Sequence, residues 1–540
     1  MKKISNFFKK NYELVFLALF VLIAIVLRFS HIFTLNFFTY DQARDALFVK
    51  RMIMGGEFRL LGTQTSLPGM YLPPFYYYTL IPILWLSRLN PVGIDIYSAL
   101  IGVATVPLIW FVANKIFGKP AGIFSAGLFT VSPLVVELTR RAWNPNTLPF
   151  FILIAFYFLY LYYKNRKTRD FLLAFAFYGY CLSLHFGAWT LIPLFVFSWF
   201  FYLAKNKKIV GLLGSLGIMI FSVCPLLFFE LRHQFFLTSQ AKVFFFDGGH
   251  VGIKGAGFLE SVISSLVALF TILISGKIIV GYGAPFEFSG KLQEFFHSSQ
   301  AISVVAQKPS SLSWQWWGMA IFLILVTFSV WLFLKKRKDK KNKSFILPLL
   351  MVWIWIIWGI LASRFYSGKF FFFYYLFIFP APFLLFGFLV KYFWSNKFLK
   401  PLLLIGFSLI IIFHLRFTTV FTPQWRTIDD LKGVAKTISE NVNKDEVFNI
   451  ATIQKETDRW DRNAVDYRYF VEAFNNKRAL DWYPEDYEKA QVLFVVDETG
   501  NGEVLKSSIM EIIKFNPKKI IGRWQLPKEI VVYKLEKEKK

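Results

Sequence analysis

The chain has 540 residues, of which 56% are hydrophobic and 18% charged, and this composition, with 66 phenylalanines, excludes an ordinary soluble domain. The formal net charge of +27 is compatible with nucleic-acid binding, but residues 424–540 hold 21 basic and 21 acidic side chains, so the excess lies in the apolar part. There, lysines and arginines cluster between apolar runs, as in the cytoplasmic loops of membrane proteins. We therefore expect a multi-pass protein of the plasma membrane, with the lipid bilayer and not nucleic acid as its partner.

The first predicted span, residues 14–34, leads into a polar sequence. The span is too long for a signal peptide, and no small-residue cleavage site follows it. The polar sequence is Thr39-Tyr40-Asp41-Gln42-Ala43-Arg44-Asp45, and ionisable residues at a membrane boundary usually have a function. In a helix that begins here, Asp41 and Asp45 share one face with Arg44 alongside. The same position of Asp41 suits a helix cap, so the pattern alone leaves catalysis and capping open.

The basic clusters predict the topology, because they are expected to lie in the cytoplasm. The N-terminus is then cytoplasmic, and about 11 helices cross the membrane. The predicted spans are residues 14–34, 96–114, 120–138, 147–163, 171–186, 188–204, 209–229, 318–334, 345–362, 371–391 and 401–417. The segments predicted outside are a first loop at 35–95, a second at 137–146 and a long one at 230–317.

Two apolar stretches in these outer loops complicate the topology. Residues 75–89 are short, contain Pro82 and are rich in tyrosine, which predicts a helix lying in the membrane interface. Residues 258–280 are apolar enough to span, and if they do, a second crossing must restore the parity of the count. We favour a long outer loop whose helices dip into the membrane boundary.

The sequence changes character after residue 423. Short apolar runs at 447–451, 492–496 and 530–534 predict strands, and helical patterns lie near 428–441 and 467–475. We predict two domains, a transmembrane domain at 1–423 and a small extracytoplasmic α/β domain at 424–540. The fold class is then mainly α, a polytopic membrane protein with a small α/β domain.

The second outer loop carries residues suited to a sugar phosphate. Arg140 and Arg141 lie outside, against the usual charge bias, so we expect them to bind an anion or to pair with Asp41 and Asp45. In the same loop, Trp143 offers a flat face to a sugar ring, and two amides can bond to hydroxyl groups, Asn144 and Asn146. The alternative is a polar turn around Pro145.

Further candidates lie at other outer helix ends. Arg232 and Arg364 have the side chain that suits phosphate, although arginine also reaches toward lipid headgroups. His233 follows Arg232, and neither it nor His185 has a companion at metal-ligand spacing.

The two cysteines, Cys181 and Cys224, lie in apolar runs and predict neither a disulfide framework nor a metal site. The sequence has no P-loop, Rossmann fingerprint or nucleophilic serine elbow, which favours a membrane-borne activated substrate.

These features together resemble the GT-C glycosyltransferases, and within them glycosyltransferase family 39, the protein O-mannosyltransferase and aminoarabinose transferase group. The resemblance covers roughly residues 14–420. It is carried by the acid after the first span, the tyrosine- and proline-rich patch of the first outer loop with Tyr71 and Tyr76, the second outer loop and the outer C-terminal domain. It implies a substrate-binding role for both tyrosines and for Arg44.

The resemblance implies a polyprenyl-phosphate sugar as donor and an acceptor hydroxyl or amine on a protein, glycan or lipid. Asp41 stands where the family has its catalytic acid and would act as general base in an inverting transfer of a hexose or pentose. Asp45 offers a second carboxylate, and Arg140, Arg141, Arg232 and Arg364 would stabilise the leaving phosphate. The family often has acids where this chain has Gln42 and Asn146, so we expect no metal site, and a divalent cation is disfavoured.

Two other functions remain open on the sequence. A transporter or flippase of lipid-linked sugars would show broken helices and polar groups at the membrane midplane. In this sequence the polar groups lie at outer helix ends, which favours an enzyme. A non-catalytic scaffold that presents the C-terminal domain would not need Asp41.

Overall fold

The computed structural model describes residues 2–34, 38–65, 69–206, 208–247, 257–275, 315–336, 343–366, 370–416, 418, 420–421, 425–455 and 462–537. Part of the predicted long outer loop, residues 248–256 and 276–314, lies outside the described residues. The chain divides into two compact units. The first, called here the membrane unit, comprises residues 1–30, 59–78 and 96–421, and the second, the sheet unit, comprises residues 31–58, 79–95 and 422–540.

Helices dominate the fold outside the sheet. Their bounds are Lys2–Phe29, Tyr40–Gly55, Phe75–Leu86, Val92–Phe117, Lys119–Val131, Pro133–Thr139, Leu148–Asn165, Thr168–Cys181, Ile192–Asn206, Ile209–Arg232, Phe236–Lys242, Gly257–Ser275, Gln315–Lys336, Lys343–Ser363, Pro380–Phe393 and Leu399–Arg416. Shorter 3₁₀ segments occur at Asn144–Thr147, Phe186–Leu191 and Phe372–Tyr375, and a π-helical turn at Val243–Asp247. The predicted mainly α fold class is confirmed.

The described residues contain eight helices long and apolar enough to cross a membrane, or nine if one bent pair forms a single span. The protein is therefore a multi-pass membrane protein, while the predicted number of about 11 spans stays a prediction. Gly257–Ser275, in the stretch for which the sequence allowed two interpretations, is among these helices. The helix at Phe75–Leu86, where an interfacial helix was predicted, is apolar but shorter than a span.

The bent pair lies where the sequence predicts one continuous span at 120–138. Helix Lys119–Val131 ends before Ser132, and helix Pro133–Thr139 continues at an angle of 67°. Ser132 has a ψ of 115°, because the ring of a following proline disfavours the helical conformation. The hydroxyl of Ser132 donates to the carbonyl of Leu273 at 3.0 Å. This bend directs the second short helix, which leads into residues 140–147.

The C-terminal part of the sheet unit contains a four-stranded sheet. Strands β1 Phe448–Ile453, β2 Val492–Asp497, β3 Lys519–Gln525 and β4 Val531–Glu536 follow the order β1-β2-β4-β3. The β1–β2 pair is parallel and the other two pairs are antiparallel. Helices Ile428–Glu440, Val465–Asn475, Pro484–Lys489 and Met510–Phe515 accompany the sheet. Buried side chains from β2, β4 and the last of these helices share one hydrophobic core.

Three of the four strands were predicted, and the fourth was missed for a physical reason. β1, β2 and β4 are almost entirely buried, so their sequences are apolar runs. β3 is an edge strand whose residues are mostly exposed, and its sequence, Lys-Ile-Ile-Gly-Arg-Trp-Gln, does not alternate. Neither the apolar-run nor the alternation signal therefore marks it as a strand.

Candidate functional site

The helix at Tyr40–Gly55, called here the Asp41 helix, begins at a capping box. Thr39 has an extended conformation (φ −124°, ψ −165°) and precedes the first helical residue. The Oε1 atom of Gln42 accepts hydrogen bonds from the backbone N–H of Thr39 at 3.3 Å and from its hydroxyl at 2.9 Å. Such a Thr-x-x-Gln arrangement fixes where a helix begins. Asp41 is therefore a residue of the first turn and not the cap.

Asp41, Arg44 and Asp45 form one cluster on this helix, on a common face as the spacing indicates. The Nη1 atom of Arg44 lies 2.9 Å from Oδ1 of Asp41, and its Nη2 lies 2.8 Å from Oδ1 of Asp45. The guanidinium also lies over the ring of Tyr40, 5.4 Å from its centroid. One arginine thus contacts both carboxylates.

The two carboxylates of this cluster differ in exposure. The side chain of Asp41 keeps 34% of its surface exposed, whereas that of Asp45 keeps 3%. The N-terminal end of the helix adds a positive dipole near Asp41. The geometry holds Asp41 as an accessible, oriented carboxylate, and Asp45 as a buried group that orients Arg44.

The arginines of the second outer loop, in the membrane unit, are held by the protein itself. Arg140 is buried, and its guanidinium donates to the carbonyls of Val420 at 3.1 Å and Ser30 at 2.6 Å. Arg141 forms an ion pair with Glu137, one helical turn earlier. These contacts fix the path of the loop as it leaves helix Pro133–Thr139.

The two asparagines of this loop are buried and only partly satisfied. The amide nitrogen of Asn144 donates to the carbonyl of Leu184 at 2.5 Å, and that of Asn146 to the carbonyl of Arg141 at 3.1 Å. Both Oδ1 atoms are buried without a hydrogen-bond partner among the described residues. Buried acceptors are normally satisfied, so these two oxygens are suited to bind a hydroxyl group or a water molecule.

Aromatic side chains connect the second outer loop to two other segments. The ring of Trp143 lies 4.6 Å from that of Phe373, and the ring of His185 lies 5.7 Å from the same phenylalanine. Phe373 also contacts Tyr374, which in turn contacts Phe370. The guanidinium of Arg364 lies over the ring of Phe370 at 4.7 Å. The structure therefore places Trp143 and Arg364 at opposite ends of one chain of aromatic contacts.

The remaining predicted site residues lie at the end of one helix and within the first outer loop. Arg232 is exposed at the last residue of helix Ile209–Arg232, and the exposed ring of His233 stacks on Phe229 at 3.9 Å. Tyr71 forms an isolated bridge with Gln64 and is partly exposed. Tyr76 is buried near Tyr77 in helix Phe75–Leu86.

Arg28, which was not among the predicted site residues, supports the second outer loop. Arg28 is fully buried, and its guanidinium donates to the hydroxyl of Thr139 at 2.9 Å and to the carbonyl of Thr130 at 3.2 Å. Thr139 directly precedes Arg140. An arginine within an apolar span is itself a signal of a specific role, and that signal was available in the sequence.

Two kinds of comparison with known proteins find matches. The family model described as dolichyl-phosphate-mannose-protein mannosyltransferase matches residues 72–228, which is less than a third of the chain and does not include Asp41. ArnT from Cupriavidus metallidurans, solved bound to undecaprenyl phosphate, is 12% identical, with a TM-score of 0.54 and coverage of 96% of this chain and 97% of that one. A comparison with curated proteins finds no match.

A second solved structure agrees with the first. The oligosaccharyltransferase from Archaeoglobus fulgidus, in complex with zinc and sulfate, is 13% identical, with a TM-score of 0.50 and coverage of 96% of this chain and 72% of that one. The chain has a GT-C fold. The resemblance expected from the sequence is confirmed. In this GT-C chain, the roles of individual site residues stay predictions, because a likeness at this identity extends to the fold alone.

From the sequence we expected no metal site. The described residues can be searched for side chains placed to bind one. They contain no group of three or more histidine, cysteine, aspartate or glutamate side chains placed to hold a metal ion. In the Asp41 cluster, Arg44 supplies the positive charge that contacts both carboxylates.

Proposed function

We propose that this GT-C protein is a glycosyltransferase that moves a sugar from a polyprenyl-phosphate donor to an acceptor hydroxyl or amine on the outer face of the membrane. The GT-C fold supports glycosyl transfer as the class of reaction. The similar ArnT structure contains undecaprenyl phosphate, and the matching family model is named for transfer from dolichyl-phosphate-mannose. Both names describe a sugar or a phosphate carried on a polyprenyl lipid.

The observation that carries the proposal is the Asp41 cluster. A general base must be accessible to its substrate and must be held in position. Asp41 is partly exposed, and Arg44 holds one of its carboxylate oxygens. In the proposed reaction Asp41 accepts the proton of the acceptor as its oxygen or nitrogen attacks the anomeric carbon. The bond from that carbon to the lipid phosphate breaks, and the configuration at the carbon inverts.

The leaving lipid phosphate requires positive charge, which we assign to the outer arginines. Arg232 is exposed at a helix end, and Arg364 lies beside the aromatic contacts that lead to Trp143. Arginine binds phosphate through two parallel hydrogen bonds, which stabilises charge that develops in the transition state. We assign Arg140 and Arg141 the supporting role of holding the second outer loop, since protein groups already occupy their guanidinium groups.

The sugar itself is assigned to the second outer loop. The unpartnered Oδ1 atoms of Asn144 and Asn146 are suitable acceptors for sugar hydroxyl groups. Trp143 keeps part of its surface exposed, and an aromatic face packs well against the C–H groups of a sugar ring. Tyr71, which is partly exposed, and Tyr76, which is buried, are assigned only a supporting role in donor binding.

The test is a transfer assay in membranes with a panel of radiolabelled polyprenyl-phosphate sugars, comparing the native protein with Asp41→Asn. We expect label to move to a protein, glycan or lipid fraction, and the substitution to lower the rate by about 10²–10⁴-fold, because it removes the base while leaving the side-chain volume unchanged.

The chain offers a matched control at the start of another helix. Asp429 is the second residue of helix Ile428–Glu440, is 90% exposed and pairs with Lys432 three residues later, as Asp41 pairs with Arg44. Asp429→Asn should transfer at the native rate. Native turnover by a folded Asp41→Asn protein would rule out Asp41 as the base, and transfer from no donor of the panel would contradict the proposed class of enzyme.

A further inference from the structure

One helix of the sheet unit contacts the Asp41 helix in two places. This helix, Val465–Asn475, is called here the clamp helix. It lies more than 400 residues after the Asp41 helix in the sequence, and both belong to the same compact unit. One contact lies in the second half of the Asp41 helix and the other lies just before its first turn.

The first contact is an ion-pair network. Arg51 donates to both carboxylate oxygens of Glu472, from Nε at 3.2 Å and from Nη2 at 3.0 Å. Lys50 donates to the same carboxylate at 3.1 Å, and Arg51 reaches Asp481 with its remaining terminal nitrogen at 3.0 Å. The side chains of Arg51 and Glu472 are buried. A two-point contact between guanidinium and carboxylate fixes the relative orientation of the two groups as well as their distance.

The second contact involves Phe38, the residue directly before the capping box. The ring of Phe38 packs against Tyr469 at 5.5 Å and against Phe470 at 5.4 Å, both on the clamp helix. The carbonyl of Phe38 accepts a hydrogen bond from Arg426 at 3.3 Å. Arg426 is itself buried and pairs with Asp466, also on the clamp helix, at 2.8 Å.

Asp41 lies between these two contacts. It follows Phe38 by three residues and precedes Arg51 by ten, which is about 15 Å along a helix. A helix held at both ends cannot rotate or slide, so the direction in which Asp41 points depends on the clamp helix. A buried ion pair adds little net stability compared with apolar packing, so we assign this network the role of fixing the geometry between the two helices and not that of stabilising the fold.

We propose that the clamp helix positions Asp41, and that Glu472 is a positioning residue for the proton transfer assigned to Asp41. The inference rests on the proposed function in one respect, the role of Asp41 as base. Glu472 itself does not touch the substrate. It acts through Arg51 and the Asp41 helix. Removing the Glu472 carboxylate should therefore change the orientation of Asp41.

The test compares Glu472→Gln with a control at a nearby surface contact, using the full chain in detergent or nanodiscs. The control is Arg478→Gln, which removes an exposed ion pair between Arg478 and Glu57, just beyond the end of the Asp41 helix. We measure hydrogen–deuterium exchange of the backbone amides of residues 40–47. Exchange should become faster by about fivefold or more in Glu472→Gln, as a local opening becomes easier, and should not change in Arg478→Gln.

The kinetic test separates positioning from folding. In Glu472→Gln we expect kcat to fall by about 10- to 100-fold, since a small displacement of a catalytic group has this effect, while KM for the donor changes by less than about twofold. In an Asp41→Asn background the same substitution should lower the residual rate no further. If Glu472→Gln does not fold, Arg51→Lys, which keeps the charge but loses the two-point contact, is measured in the same way.

The outcomes are distinguishable. Unchanged amide exchange together with native kcat in a folded variant overturns the inference, whether or not Asp41 is the base. An equal loss of rate in the presence and in the absence of Asp41 overturns it as well, because the effect then does not pass through Asp41. Failure of the native protein to show Asp41-dependent transfer contradicts the proposed function, and the exchange measurement still decides the inference.

Discussion

A single arginine side chain contacts both carboxylates of the Asp41 cluster. Arg44 contacts Asp41 and Asp45 at 2.9 and 2.8 Å, and the difference in their exposure assigns the accessible role to Asp41. The adjacent Gln42 stands where the resemblance to family 39 led us to look for an acid, and in the structure its side chain bonds to Thr39. Its side chain completes the capping box with Thr39, so the position of Asp41 in the first turn depends on it.

Gln42→Ala tests this role of Gln42. The substitution removes two hydrogen bonds to Thr39, and we expect it to destabilise the start of the helix by about 1 kcal/mol, the usual cost of a lost cap. Transfer should fall because Asp41 is less well placed. Gln42→Glu keeps an acceptor at the same distance and should retain both the native thermal stability and the native rate. If Gln42→Ala melts and transfers as the native protein does, the capping box has no part in placing Asp41.

At the scale of elements, the ion-pair network of the clamp helix has a consequence for pH dependence. Burial, the largest effect, raises the pKa of Glu472, but the contacts with Arg51 and Lys50 outweigh it, so that the pKa lies below its ordinary value of 4.5. A carboxyl group whose pKa is lower in the folded than in the unfolded chain stabilises the folded state above the unfolded pKa. That stabilisation is lost as the pH falls through the folded pKa.

We therefore expect Glu472→Gln to reduce the acid sensitivity of the sheet unit. The thermal midpoint of the variant should lie below that of the native protein at pH 7, because Arg51 is left buried with one partner fewer. The difference between the two thermal midpoints should shrink as the pH is lowered below 4.5, because a protonated Glu472 is uncharged, as the glutamine of the variant is. Thermal unfolding of the full chain between pH 7 and pH 3 measures this, with the exposed Asp429→Asn as control. A difference that stays constant over this range would contradict the expectation.

Local signals were sufficient for elements that are uniformly buried, and insufficient for contacts between distant segments. The buried strands at Phe448–Ile453 and Val492–Asp497 were predicted from their apolar runs. The start of the Asp41 helix was also within reach, since Thr39 and Gln42 have the spacing of a capping box. The pairing of Arg51 with Glu472 joins positions 421 residues apart, and periodicity contains no information on it.

For the candidate site, the sequence predicted which residues are polar near the membrane boundary but not what holds them. Arg140 and Arg141 were expected to bind an anion or to pair with Asp41 and Asp45. In the structure, Arg140 binds backbone carbonyls and Arg141 binds Glu137. Arg140 is buried and the side chain of Arg141 keeps 11% of its surface exposed. How far a loop side chain is buried is a property of tertiary packing that no local pattern reports.

At the scale of the whole molecule, the distribution of charge predicts the topology. Basic residues exceed acidic ones only in the part of the chain before residue 424, and the excess clusters between apolar runs. Translocation disfavours lysine and arginine in short loops, so those clusters are expected in the cytoplasm. The C-terminal segment has equal numbers of both signs and carries no such constraint. We therefore expect it on the opposite side.

Two single cysteines test this topology, introduced after Cys181 and Cys224 are replaced by serine. Lys506 is 81% exposed in the sheet unit, and Lys397 is exposed between helices Pro380–Phe393 and Leu399–Arg416, in a basic segment. In intact cells a membrane-impermeant maleimide should label Lys506→Cys and leave Lys397→Cys unmodified. After permeabilisation both should react, which controls for access to the thiol. Labelling of both positions in intact cells would mean an even number of crossings between residues 397 and 506 and would place the basic segment outside, contrary to the charge-based topology. If Lys506→Cys reacts only after permeabilisation, the proposed outer location of the sheet unit is wrong.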